Sequence, residues 1–232
     1  MKRKYLKLIL DILTKYLFNK SGALPFVVMI VSGNLFVTGG LQIYVRKLAN
    51  MTMAKGINVV LVHQPKFWPE ILFYPKGSHV AERHSACGNS YVMKNALVRQ
   101  LVTFSTYVLV GTLLLFLKLR NRNVTAIHCH DPAYAGLLGL SVSKLTGVPL
   151  IVHVHSKSCS DCSNRGLSKF EDMLNCFVAK HSHAVITVSK DLAKYYLSLG
   201  ISEQRLHVIA TGVQITCGQK SISSNKTCLE LM

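Results

Sequence analysis

The sequence predicts an α/β fold, a parallel sheet with helices on both faces. Two observations carry that prediction. The first is residues 124–156, VTAIHCHDPAYAGLLGLSVSKLTGVPLIVHVHS. Apolar runs at 124–129 and 150–155 flank a stretch, 133–145, rich in helix formers. That is one complete strand–helix–strand unit, the building block of parallel sheets. The second is recurrence. Short apolar runs near residues 26, 58, 185 and 206 each border a helix-type segment. Five main strands, near residues 26, 58, 126, 150 and 185, are therefore expected to lie parallel.

Composition sets the class. Half of the 232 residues are hydrophobic, enough for a sizeable core. The 27 Lys and Arg outnumber the 10 Asp and Glu, for a formal net charge of +17. Such a balance favours anionic partners. An arginine-rich arm, zinc-finger spacing and an aromatic RNA-binding signature are all missing, so lipid or sugar phosphate is expected and nucleic acid is not. The seven cysteines show no regular framework and read as reduced thiols.

In chain order, residues 1–20 read as a basic amphipathic helix, with Lys4, Lys7, Asp11 and Lys15 on one face and Leu6, Ile9, Leu13 and Leu17 on another. Basic and apolar faces together suit an anionic membrane surface, while packing on the domain is the plainer alternative. Lys7 and Asp11 interrupt the apolar part and argue against a signal peptide. Residues 24–31 are the first strand. Gly33 to Gly40 form a glycine-containing loop ahead of a helix with Leu41, Tyr44, Val45, Leu48 and Met51 on one face. A glycine loop opening a helix lets backbone N–H groups approach a phosphate or sugar. Residues 57–63 are the next strand, and 64–89, with their prolines and glycines, read as irregular surface.

Residues 101–117 carry no charge, with Arg99 before them and Lys118, Arg120 and Arg122 after. At seventeen residues they fall short of the ~20 that span a bilayer. A buried helix, or one lying partly in the membrane interface, is expected. In the central unit Asp131 is placed to cap a helix with Pro132 at its first position. Both strands of that unit end in histidine, His130 and His155, and carboxyl ends of parallel strands are where ligands bind. His153 lies deeper and reads as structural. Cys159 and Cys162 have metal-ligand spacing that Cys176, His181 or His183 could complete, but one close pair is a weak zinc signal. Leu167, Phe170, Leu174, Phe177 and Val178 mark a helix face. Residues 184–188 are a strand, Ser189 a helix N-cap, and 206–209 the last strand. Residues 215–232 read as a disordered tail.

Gly39-Gly40 before a helix ending in LANMTMAKGINVVLV, the central unit, AVITVSKDLAKYYLSLGI and RLHVIATGV together resemble the amino-terminal domain of glycosyltransferase family 4. The resemblance runs from about residue 26 to 213, and the domain is expected over 21–214. It implies a Rossmann-like parallel sheet forming a single half of a GT-B architecture, the half that largely binds acceptor. It implies transfer of a sugar from a nucleotide-sugar to an acceptor, lipid-linked acceptors included, with retention and with no metal or other cofactor. His155 corresponds to the family's active-site histidine. Gly39, Gly40, His130, Asp131, Ser156 and Gly212 correspond to substrate-binding positions.

Ala210 and Thr211 stand where the family has Pro-Asn. The family's second domain, with the Arg/Lys pair and Glu-x7-Glu motif that hold the nucleotide, has no counterpart in these residues. The resemblance therefore implies a half that is incomplete alone, cytoplasmic or peripheral at the inner face of the membrane. Two alternatives stand beside it: a non-catalytic membrane-associated subunit that recruits a separate catalytic chain, and an inactive truncated product.

Overall fold

A computed structural model describes residues 25–36, 39–64, 69–80, 102, 104–156 and 165–210. Seven strands form one sheet: β1 (Phe26–Ile30), β2 (Asn58–His63), β3 (Glu70–Tyr74), β4 (Val124–Cys129), β5 (Leu150–Val154), β6 (Ala184–Thr187) and β7 (Leu206–Val208). Their order is β3-β2-β1-β4-β5-β6-β7, and every neighbouring pair is parallel except β2 with β3. The five strands expected to be parallel are so. The central ones are buried along nearly their whole length, which is why they read as continuous apolar runs rather than as alternation.

Among the described residues five α-helices connect the strands: α1 (Gly40–Ala54), α2 (Gly111–Leu119), α3 (Tyr134–Thr146), α4 (Arg165–His181) and α5 (Lys190–Ser198). The chain moves one way across the sheet from β1 to β2 and the other way from β3 onward. Right-handed crossovers then put α1 on one face and the later helices on the other. The cores agree. Val45, Leu48, Ala49 and Met53 of α1 pack on Val27, Met29, Val59, Leu61, Ala126 and Ile151. Leu115, Leu138, Val178, Leu192 and Tyr196 pack on Val28, Ile30, Val60, Ile127, Val152 and Val185. The sheet order reverses between β1 and β4, so loops leave that point in opposite directions and a crevice opens at its carboxyl edge.

Several local expectations are corrected. Residues 70–74, read as irregular surface, are the edge strand β3, antiparallel to β2. The stretch expected as one helix from 101 is π-helical over Phe104–Val110 and α-helical only from Gly111. Asp131 does not cap α3. The N-cap is Ala133, and Asp131 instead accepts its backbone N–H at 2.9 Å and the Ser32 hydroxyl. Of the face expected on α4, Leu174 and Val178 are buried, while Phe170 and Phe177 are exposed, as is Met51 of α1. Ser189 caps α5 as read, its hydroxyl accepting from Leu192 N at 3.2 Å. No helix among the described residues is long and apolar enough to cross a membrane. The amphipathic reading of 1–20, the Cys159–Cys162 pair, Gly212 and the tail lie outside the described residues.

Candidate functional site

Strand period builds the site. Residues two apart on a strand share a face, so His128 of β4 and His130 just past its end, with His153 of β5 and His155 just past its end, project on the face that α1 covers. The register pairs His128 with Ile151 and Cys129 with Val152, which sets His130 beside His153. The rings form a compact group. Centroids lie 4.2 Å apart for His128 and His130, 4.3 Å for His153 and His155, and 5.6 Å for both His130–His153 and His128–His153.

Tyr44, one turn into α1, roofs the group. Its ring stands edge-on to His130, His153 and His155 at 5.9, 5.4 and 5.2 Å. The amino end of α1 therefore lies over the carboxyl ends of β4 and β5. Gly39 and Gly40, His130 and His155 share one edge of the sheet, beside the strand-order reversal. Ser156 is exposed, one residue past His155. Asp131 ties the loop after β1 to the start of α3 through Ser32 and Ala133.

The glycines separate by role. Gly33 holds a left-handed backbone at φ 84°, which favours glycine over any side chain. Gly39 is extended, and a methyl group there would meet only the flexible end of Gln42. At Gly40 such a methyl would meet no atom of a more distant described residue within 4 Å. Space at the start of α1 is thus open to a ligand.

Burial keeps the imidazoles neutral. It holds His155 down at about 4 and His128 at about 3, the latter also pressed by His155. His130 is held well below the usual imidazole range by burial and then by His128, His153 and His155. His153 is lowered by burial and then by His128 and His155. At neutral pH each ring has one N–H and one lone pair. Yet among the described residues Nε2 of His128, both nitrogens of His130 and of His153, and Nε2 of His155 have no hydrogen-bond partner. Each buried polar atom left wholly unpartnered costs about 1–3 kcal/mol. A group from outside the protein fits such a lining.

Sequence reasoning found His130 and His155 and missed two neighbours, His128 and Tyr44, and a further buried histidine, His63. His128 shares a face with His130 and was readable from strand period. Tyr44 read only as one member of an inward helix face. His63 ends β2 as His130 and His155 end their segments. It is wholly buried, its Nδ1 accepting from Leu35 N at 3.4 Å, with Glu70 Oε2 3.3 Å from Nε2. His181 and His183, weighed as zinc ligands, are engaged elsewhere, with Phe177 O and Leu150 N.

A family model described as Glycosyltransferase Family 4 matches residues 38–216, from just ahead of α1 to beyond β7. No curated protein matches the chain.

Proposed function

The chain belongs to glycosyltransferase family 4, and on that premise we propose that it forms the acceptor side of a sugar transferase using a nucleotide-sugar donor. One observation carries the reading: the amino end of α1, His130 and His155 meet at the carboxyl edge where the strand order reverses, with Tyr44 within 5.9 Å of both rings. Backbone N–H groups at Gly39 and Gly40 approach donor phosphate or acceptor hydroxyls. His155, half-buried at the mouth, positions the reacting sugar through Nε2. With its pKa near 4, its ring is too weak a base to hold a proton at neutral pH, so its role is orientation by hydrogen bonding. His130 lines the same wall.

Transfer also needs electrostatic stabilisation of the departing diphosphate. The described residues form one Rossmann-like half, and a second half, in the same polypeptide or another, supplies that stabilisation. The test is turnover. These 232 residues alone, given a panel of nucleotide-sugars and acceptors, are expected to show none. Robust transfer that His155→Ala abolishes would contradict the division of labour. A second reading is a non-catalytic subunit that recruits a separate catalytic chain. Co-purification with a catalytic chain whose activity survives His155→Ala would support it over the first.

The same reading sets the chain at an anionic membrane surface. Leu109, Leu113 and Leu117, spaced four apart, are 57, 57 and 47% exposed beside Lys118 and Arg120. The formal charge of +17 acts with them. Binding to phosphatidylglycerol vesicles is expected to exceed binding to phosphatidylcholine and to weaken with salt. Leu113→Glu, on an exposed position, should reduce it. Equal, salt-insensitive binding to both vesicles would contradict the electrostatic part.

A further inference from the structure

We propose that His128, His130 and His153 form a site for one divalent transition-metal ion of the class that prefers imidazole: zinc, cobalt, nickel or copper. The inference goes beyond sugar transfer and does not rest on it.

Geometry comes first. The three residues come from two adjacent strands on one face, and one ligand nitrogen from each lies within 4.8 Å of the others. Bonds of ~2.0–2.1 Å in a tetrahedral site separate ligand nitrogens by roughly 3.3 Å. Ring rotations that shorten the widest nitrogen–nitrogen separation by about 1.5 Å close the set. The backbone already holds the rings in place, since His130 N donates to Ile30 O at 2.9 Å and His153 sits in register with Ile186.

Chemistry comes second. All three side chains are at least 99% buried, and five of their six ring nitrogens have no partner among the described residues. Elsewhere on this face the sheet presents Val27, Met29, Ala126, Ile151 and Ile186, with His63 apart from them at the end of β2. Polar side chains are thus concentrated at one spot in an apolar wall, as a binding site requires and a packed core does not. All-imidazole donors suit zinc, copper and nickel and do not suit magnesium or calcium, which need oxygen. The net charge of +17 opposes a cation at long range. Salt screens that field beyond ~8 Å, while coordination acts at ~2 Å. His155, stacked on His153 at 4.3 Å, stays outside the ligand set and borders the cleft side.

The experiment uses the full chain, stripped with a chelator and titrated with cobalt and then zinc, with no sugar present. One cobalt per chain is expected, with visible ligand-field absorption that one equivalent of zinc abolishes. Cys159→Ser with Cys162→Ser, which silences the other ligand-type spacing, should leave the stoichiometry unchanged. His128→Asn with His153→Asn should weaken affinity at least tenfold while circular dichroism stays unchanged. If that pair does not fold, His130→Gln, at the strand end, takes its place with the same expectation. The proposal is overturned if no ion binds at one equivalent. It is equally overturned if binding survives the histidine substitutions or disappears with the cysteine pair.

Discussion

His63 carries in miniature what burial does to imidazoles in this sheet. Its pKa falls from the ordinary 6.5 to about 4 because burial penalises the charged ring. Glu70 stands 3.3 Å away and favours the charge, but its side chain is 54% exposed and water screens it, so burial wins. In the unfolded chain the same ring titrates near 6.5. As pH falls, the unfolded state therefore takes up the proton first. The stability this neutral ring contributes is fully present above about pH 6.5 and is lost as pH falls toward 4. Denaturant unfolding between pH 6 and 4.5 should show a loss of about 1 kcal/mol per pH unit from His63 alone. His63→Gln should flatten the slope by that amount, and an unchanged slope would contradict the assignment. At this scale the sequence was half legible. His130 and His155 stood out because each closes an apolar run. His128 sat inside such a run, and Tyr44 inside an amphipathic helix, where only the third dimension joins them to the site.

Elements were legible where their signals are local. Ser189 reads as a cap from its chemistry alone, and Ser189→Ala should lower stability by about 1 kcal/mol in denaturant unfolding. β3 was hidden because an edge strand of five residues, exposed or half-buried throughout, sits among prolines and glycines. Its pairing with β2 is a tertiary fact, and Phe73 gains further cover from the Arg122 guanidinium 4.3 Å above its ring. The π-helical start of the 104–119 segment was equally hidden, since hydropathy fixes which residues are apolar and not the pitch of the backbone. Close helix–sheet contact is the other tertiary feature. A methyl group at Gly139 of α3 would lie 2.3 Å from Cys129 Sγ and 3.1 Å from Leu150 Cδ1. Gly139→Ala should therefore destabilise by about 1–3 kcal/mol, the range for overpacking. Cys129→Ala, which shortens the first obstacle, should restore part of the loss. Additive effects of the two substitutions would show that the contact is not the cause.

For the whole molecule, the repeated strand–helix alternation gave the parallel sheet, and chain direction then fixed which face each helix covers. The sequence could not display the strand order itself, because adjacency of β1 and β4 joins residues about a hundred positions apart. That adjacency sets the amino end of α1 over the histidines and makes one edge of the sheet the site. The central claim is that this edge, rather than any other, receives the sugar. The most direct measurement follows the histidine ring nitrogens by NMR, with chelator present, while nucleotide-sugars, oligosaccharides and a polyprenyl-phosphate-linked sugar are added in turn. His183, which bonds Leu150 N at the opposite edge, and His207 on the outermost strand β7 are internal controls. The account predicts that at least one of these compounds moves the His130 and His155 resonances saturably while those of His183 and His207 stay still. Movement confined to His183 or His207, or no saturable movement with any compound, would contradict it.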